Sequence, residues 1–387
     1  MNLELSEEQA AVRALAADFT DREIAPYAAD WDRAESVDRA IVRKLGDVGF
    51  LGLTIPEAYG GSGGDHLAYC LVLEELGRGD SAVRGIVSVS LGLVAKSVNA
   101  YGSEEQKRYW LPRLTSGQAL GCFALTEPGT GSDAANLTTR AVRDGDQWLI
   151  TGSKMFITNG TWADVALVFA RTGGDDPERA GHRGITAFLV PTGLPGFTRT
   201  EIHGKLGLRG QATAELSFDS VRVPDSARLG AEGKGFTVAM AALAKGRMSV
   251  AAGCVGIAQA CLDAAVKYAT EREQFGKPIA AHQLVQELIS DIAVDLEASR
   301  LLTWRVADHI ERGLPFATES SVAKLYASEA AVRAANNALQ VFGGYGFIDE
   351  YPVGKYLRDA RVMTLYEGTS QIHKLLIGRA LTGVSAF

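Results

Sequence analysis

Four runs between Cys122 and Gly230 decide how this chain folds: Trp148-Leu-Ile-Thr151, Val165-Ala-Leu-Val-Phe169, Ile185-Thr-Ala-Phe-Leu-Val190 and Ala214-Glu-Leu-Ser-Phe218. Each is short and rich in β-branched or aromatic residues. Turn residues separate them: Asp144-Gly145-Asp146, Gly173-Gly174 and the segment from Pro191 to Pro195. Apolar runs punctuated in this way predict a compact β domain, barrel or sandwich, over residues 122–233. The flanks read differently. Ser6 with Gln9 forms a capping-box pattern, and Val12, Leu15 and Phe19 follow on one helical face. A glycine-rich loop from Tyr59 to Gly64 precedes a helix from about His66 to Leu76, and Ser103-Glu-Glu-Gln106 opens another. Beyond Gly235 the helical period returns, with Leu284, Leu288, Ile292 and Leu296 every fourth residue. The expected architecture is α+β and multidomain, with a helical domain over 1–121, the β domain, and a helical domain over 234–387. The last is apolar enough to predict oligomerisation through its helices.

A chain of 387 residues exceeds what one hydrophobic core usually serves, which agrees with several domains. Its 47% apolar and 22% charged residues exclude disordered and collagen-like classes. A net charge of −7 argues against nucleic acid as a partner, which calls for a basic patch or stripe. Cys70, Cys122, Cys254 and Cys261 are scattered and support neither a zinc site nor a disulfide scaffold. The N-terminal stretch lacks a signal peptide's basic start and apolar core. The apolar run from Gly85 to Ala95, bounded by Arg84 and Lys96, is too short to span a bilayer and reads as a buried helix. A soluble, cytoplasmic protein without membrane partners is expected.

Common catalytic motifs fail first. Gly60-Gly-Ser-Gly-Gly64 lacks the Lys-Ser/Thr of a P-loop, and Gly129-Thr-Gly-Ser132 lacks the third glycine of the dinucleotide fingerprint. No H-E-x-x-H, G-x-S-x-G or EF-hand pattern occurs, and no metal site is expected. Three segments remain. Phe123-Ala-Leu-Thr-Glu-Pro-Gly-Thr-Gly-Ser-Asp133 reads as a strand running into a turn. It is either an anion-binding nest of backbone N–H groups or a plain tight turn. In Lys154-Met-Phe-Ile-Thr-Asn-Gly160 an aromatic beside a hydroxyl could stack on a flat ring, or be ordinary strand packing. Leu365-Tyr-Glu-Gly-Thr-Ser-Gln371 follows Gln340-Val-Phe-Gly-Gly-Tyr-Gly-Phe-Ile-Asp-Glu-Tyr-Pro352. Here Glu367 is either a helix-start carboxylate or a general base with glycine beside it to admit substrate.

Together these segments resemble the acyl-CoA dehydrogenase family from near Leu5 to the C-terminus. Leu125-Thr-Glu-Pro-Gly-Thr-Gly-Ser-Asp133 matches one family signature. Gln340, Gly343, Gly344, Gly346, Phe347, Glu350, Lys355 and Asp359 match a second at the right spacings. The resemblance implies a helical N-terminal domain, a middle β domain and a C-terminal four-helix bundle, with FAD between domains and subunits of a homotetramer, a dimer of dimers. It places Phe123, Leu125, Thr126, Gly131 and Ser132 along the flavin, and Phe156, Ile157 and Thr158 against the isoalloxazine. It puts Arg272, Phe275, His282 and Gln283 around the FAD phosphates and adenosine. Gln340, Val341, Gly343 and Gly344 reach a neighbouring subunit's cofactor, and Thr369 and Gln371 complete the pocket. Ser132, Arg247 and Gly368 fall near substrate.

The implied reaction is α,β-dehydrogenation of an acyl-CoA. Glu367 removes the α-proton, the β-hydride goes to the flavin, and an electron-transferring flavoprotein takes the electrons. The α-proton of a thioester is too weakly acidic for an ordinary carboxylate. The site must therefore stabilise an enolate, and burial should raise the pKa of Glu367. Ala244 stands where the family often has Asp, three residues before Arg247. Arg247 with Glu367 disfavours isovaleryl-type members, which lack the C-terminal base. Length disfavours an oxidase, and the intact Tyr366-Glu-Gly-Thr369 context disfavours a non-catalytic binding protein. For substrate, a short or branched monocarboxylic acyl-CoA is expected. Glutaryl-CoA is the runner-up, because Arg84 matches an arginine that holds the distal carboxylate in glutaryl-CoA dehydrogenases. The glutamate accompanying that arginine falls at Gly77 here, and Arg84 could equally be a helix-start charge at the pocket rim.

Overall fold

The computed structural model describes residues 4–174 and 181–386. The chain begins with helices α1 (Glu7–Glu23), α2 (Ala28–Ala34), α3 (Ala40–Asp47), α4 (His66–Gly79), α5 (Ser81–Val89), α6 (Lys96–Tyr101) and α7 (Glu104–Thr115). The expected capping box of Ser6 with Gln9 opens α1, and the expected helix start at Ser103 opens α7, with Gln106 completing a second capping box. Between α5 and α6 the residues Ser90–Ala95 wind as a π-helix, a widening often found beside functional sites. The apolar run from Gly85 to Ala95 is buried, as read from the sequence.

Seven strands follow: β1 (Gly121–Ala124), β2 (Arg140–Asp144), β3 (Gln147–Thr158), β4 (Val165–Arg171), β5 (Ile185–Pro191), β6 (Phe197–Glu201) and β7 (Thr213–Pro224). They form one sheet in the order β1-β4-β2-β3-β7-β6, with β5 paired to β4. Gly145, at φ 64°, turns the β2–β3 hairpin as Asp144-Gly-Asp146 predicted. The four quoted runs lie in β3, β4, β5 and β7. A core of its own, including Trp148, Ile150, Val168, Phe188 and Phe218, fills the sheet's inner side.

Three long helices dominate the last part, α8 (Gly235–Glu271), α9 (Gln283–Glu311) and α10 (Ala317–Phe342), joined by α11 (Val353–Met363) and α12 (Ser370–Thr382). The helical, β, helical order is that expected. The stripe on α9 is only partly core: Ile292 and Leu296 are buried, whereas Leu284 is 75% exposed. The stretches Ser81–Tyr101 and Gly235–Glu271 are long and apolar enough to cross a membrane, yet 89% and 72% of those windows lie inside the protein. They are core helices. Glycines let α8 cross α4 closely: a Cβ on Gly77 would stand 2.9 Å from the Gly253 carbonyl oxygen, and one on Gly256 2.2 Å from that of Glu74.

Candidate active site

Strand β1 leads into the loop Leu125–Asp133. Glu127 and Thr130 exchange backbone hydrogen bonds of 3.0 and 3.2 Å, so this is a tight turn whose two amides are already used and do not face outward as a nest. Beneath it lies a buried ion pair. Lys154 Nζ donates to Glu127 Oε1 at 2.8 Å and to the Leu125 carbonyl at 3.2 Å. Glu127 also accepts from the amides of Thr138 and Thr139. Burial opposes the charge on Glu127, but Lys154 and these donors prevail and hold its carboxyl down at about 2. The loop is thus fixed from below, while Gly131 and Ser132 stay exposed above.

Beside the loop, the Met155 amide bonds to the Thr126 carbonyl at 2.9 Å. Here the β3–β7 register slips between Lys154 and Ile157, a bulge that turns Phe156 outward. Phe156 sits at φ 60° and is 66% exposed, an unfavourable arrangement for an aromatic residue unless something covers its ring. Thr158 Oγ1 donates to Gln211 Oε1 at 3.2 Å. Ile157 departs from expectation: its side chain is buried in the β-domain core, because neighbours along a strand point to opposite faces. Only its backbone can meet a flavin. Phe123 is half-buried against Phe169, and Leu125 is buried.

Glu367 lies between α11 and α12, on a turn where it and Gly368 both have positive φ, 51° and 99°. Thr369 caps α12 by accepting from the Ile372 amide, so the carboxylate of Glu367 is not needed at the helix start. Its Oε2 is buried and has no hydrogen-bond partner. The space for it is made by Gly246 on α8, where a Cβ would stand 2.1 Å from that oxygen. Leu93 of the π-helical segment closes the same spot, 2.9 Å from that Cβ position. Burial raises the Glu367 pKa to about 7, against the pull of Arg84, Lys324 and Arg247.

Arg84 is not a rim charge. It is 1% exposed within α5, donating from Nη2 to Tyr366 Oη at 2.6 Å and from Nη1 to Ser88 Oγ at 3.1 Å. Its Nε has no partner, and no carboxylate pairs with it among the described residues. Arg247 Nη1 donates to Ser321 Oγ at 3.3 Å, and its Nε is likewise buried and unpartnered. Tyr69 Oη is a third buried group without a partner, facing Gly92. Sequence reasoning missed Tyr69, Gly246, Lys324 and His373. Lys324 alone left a signal, a lysine among Ser320, Ser321, Ala327 and Ser328 on the small-residue face of its helix.

A separate hollow of about 450 Å³ brings together Arg272, Val341, Gly343 and Gly344 with Tyr268, Phe342 and Tyr345. None of the Phe123–Ser132 or Phe156–Thr158 residues lines it. Phe275, His282 and Gln283 lie just outside, on the short hairpin after α8 and the start of α9, with the Phe275 and His282 rings 5.8 Å apart. Gln340 and Gln371 are exposed. A Cβ on Gly129, Gly131, Gly343 or Gly344 would meet nothing within 4 Å. An exposed ring on a strained bulge, open glycine edges and a hollow with one arginine suit a long, flat, phosphate-bearing molecule. No cluster of three or more His, Cys, Asp or Glu is placed to hold a metal among the described residues.

Fold and cleft define a scaffold that buries an unpartnered carboxylate beside surfaces fit for a flavin nucleotide. Comparison with known proteins gives the same result over the whole chain. The N-terminal, middle and C-terminal domain profiles of acyl-CoA dehydrogenase match residues 6–118, 122–221 and 233–382. The short-chain specific mitochondrial acyl-CoA dehydrogenase of Rattus norvegicus is 43% identical over 376 residues, 97% of this chain and 90% of the relative. The structure of butyryl-CoA dehydrogenase from Megasphaera elsdenii superposes with TM-score 0.95 at 40% identity, covering 98% and 100% of the two chains. Glutaryl-CoA dehydrogenase from Mycobacterium smegmatis gives 0.94 at 40%, covering 100% and 97%. The chain belongs to the acyl-CoA dehydrogenase family, and it is an FAD-dependent oxidoreductase acting on an acyl-CoA.

Proposed function

We propose that Glu367 is the base that takes the α-proton of a short or branched monocarboxylic acyl-CoA. The observation that carries this reading is the buried Glu367 Oε2, without a partner and facing the gap that Gly246 leaves. A carboxylate desolvated this way has a pKa of about 7, closer to what the reaction demands than a solvated one. FAD, when bound, supplies the hydride acceptor. The chain's own part is to orient the thioester, exclude water and hold the proton on Glu367. Phe156 and Thr158 on the bulge, with Thr126 and Ser132, would meet the flavin ring. Arg272, Phe275, His282 and Gln283 would serve its phosphates and adenosine, and Gln340 to Gly344 that of a neighbouring subunit. Thr369 and Gln371 border the same pocket, and Arg247 and Gly368 the thioester. The acceptor we propose is an electron-transferring flavoprotein, and the assembly a homotetramer.

Short-chain and butyryl-CoA relatives support the chain-length choice. A second reading, glutaryl-CoA, is favoured by one observation: a buried guanidinium with no carboxylate partner is a costly arrangement that a distal substrate carboxylate would relieve. Against it, two of the Arg84 donors are engaged. An acid at position 77 has no room either, because that residue abuts Gly253. Steady-state kinetics on butyryl-, isobutyryl-, octanoyl- and glutaryl-CoA decide. Butyryl- or isobutyryl-CoA should lead. Preference for glutaryl-CoA that vanishes in Arg84→Ala would reverse the order. In Glu367→Gln the flavin should stay bound while its reduction by every one of these falls at least ~10²–10⁴-fold. Reduction within a few-fold of wild type would remove Glu367 from the mechanism.

A further inference from the structure

Lys324 is fully buried on α10, and its Nζ donates to the carbonyl of Gly368 at 2.7 Å, one residue beyond Glu367. Among the described residues no carboxylate lies within ion-pair distance of it. Burying an ammonium is costly, and a methionine would fill similar space without that cost, so the charge calls for a use. The turn it grips is the one that aims the base. Glu367 and Gly368 are successive residues with positive φ, and position 368 suits glycine, since its φ of 99° strains any other residue and a Cβ would also crowd His373 Nε2 at 3.0 Å. Thr369 fixes the far side of the turn by capping α12, and the Ser370 amide bonds back to the Thr364 carbonyl at 3.1 Å. Without Lys324 the Gly368 carbonyl would lose its anchor.

We propose that Lys324 is a positioning residue for the dehydrogenation, holding the Glu367–Gly368 turn so that the carboxylate faces the Gly246 gap, and setting the charge state of that carboxylate with its ammonium. The proposal rests on the reading of Glu367 as the base. The titratable groups facing Glu367 and Lys324 come from several elements. Arg84 comes from α5, Arg247 and the Cys254 thiol from α8, Tyr69 from α4, Glu329 from α10, Tyr366 from the same loop and His373 from α12. Arg84, Lys324 and Arg247 favour the ionised base. Burial, with Lys324 and Arg247 nearby, pushes His373 down to about 3 and keeps it neutral. Burial lowers Lys324 to about 8, which leaves it charged at neutral pH. Of the three cations, Lys324 is the one bonded to the turn itself.

The test compares holoenzymes of wild type, Lys324→Arg, Lys324→Gln, Lys324→Met and Glu367→Gln. Flavin reduction by butyryl-CoA is followed by rapid mixing across pH. In parallel, the infrared band of the protonated carboxyl, identified by its loss in Glu367→Gln, is titrated without turnover. Removing the charge in the Gln and Met variants should raise the apparent pKa in both measurements by roughly one unit or more, the usual effect of losing a nearby opposite charge. The Arg variant should stay near wild type. A uniform loss of rate with the pKa unmoved in Lys324→Gln and Lys324→Met would make Lys324 merely structural and overturn the proposal. Should the Met variant not fold, the contrast between Gln and Arg decides alone. Flavin reduction surviving in Glu367→Gln would instead sink the reading of the base, a separate failure.

Discussion

At the scale of single residues, the proposed role of Glu367 depends on what it lacks. Its Oε2 has no donor, and Gly246 keeps the facing space empty. Gly246→Ala would place a methyl 2.1 Å from that oxygen and 2.9 Å from Leu93 Cδ2, so the carboxylate rather than the backbone must give way. The expected result is near-normal flavin content with flavin reduction slowed ~100-fold or more, since small misplacements of a catalytic group cost that much. Stopped-flow traces matching wild type would show that the gap is not the place of reaction. Electrostatics makes a second forecast. A base must be ionised to act, so on the proposed role of Glu367 kcat/KM should rise with pH through about 7, where burial has lifted its pKa. Arg84 is the foremost of the cations opposing that lift, and Arg84→Met should move the rising limb to higher pH. A limb that stays in place, or moves to lower pH, would contradict the assigned field.

Among the elements, some of the best-matching sequence signals prove to be architectural. Lys355 and Asp359, on α11, belong to the second family signature but touch neither the Glu367 cleft nor the 450 Å³ hollow. Lys355 Nζ bonds to Asp359 at 2.6 Å and to Asp80, the N-cap of α5, at 3.3 Å, while Asp359 also accepts from the Leu208 amide. One buried cation thus ties together parts of the helical, β and C-terminal regions. Two neighbouring acids hold its pKa well above the usual lysine value despite the burial that opposes it. Lys355→Met would leave two buried carboxylates without their cation, at a cost of about 3–5 kcal/mol. Denaturant unfolding of the FAD-loaded protein should show that loss, with kinetics of the surviving folded enzyme little changed. A loss under ~1 kcal/mol would mean that the network does not join the regions. The helix caps and hairpin turn were legible because each is set by residues three or four apart. The outward turn of Phe156 was not, because the bulge that exposes it arises from pairing with the distant strand β7.

For the whole molecule, the division into helical, β and helical regions could be read from periodicity, while the local context of Glu367 left it open between helix-start carboxylate and base, and only the family resemblance singled it out as a candidate. The groups around Glu367 could not. Arg84 and Tyr366 lie 282 positions apart in sequence, and Tyr69, Leu93, Gly246 and Lys324 come together only when α4, the π-helical segment, α8 and α10 pack. What stays uncovered is equally informative. Phe275 is 93% exposed, Phe347 88%, Leu284 75% and Val294 67%, more bare apolar surface than scattered single residues on a monomer would explain. Phe275 and Leu284 flank His282 and Gln283, the residues proposed for the cofactor's adenosine end. If a second copy covers this region, assembly and cofactor retention are one equilibrium, because whatever binds only the assembled state stabilises it. Burying a leucine contributes about 1.5–3 kcal/mol, and a symmetric interface repeats each contact. The double variant Phe275→Asp, Leu284→Asp should therefore sediment as a smaller species and lose FAD on gel filtration, with its helical content kept. If it retained FAD at the wild-type ratio while dissociating, the cofactor would be held within single subunits. If it neither dissociated nor lost FAD, these side chains would lie outside any interface between copies.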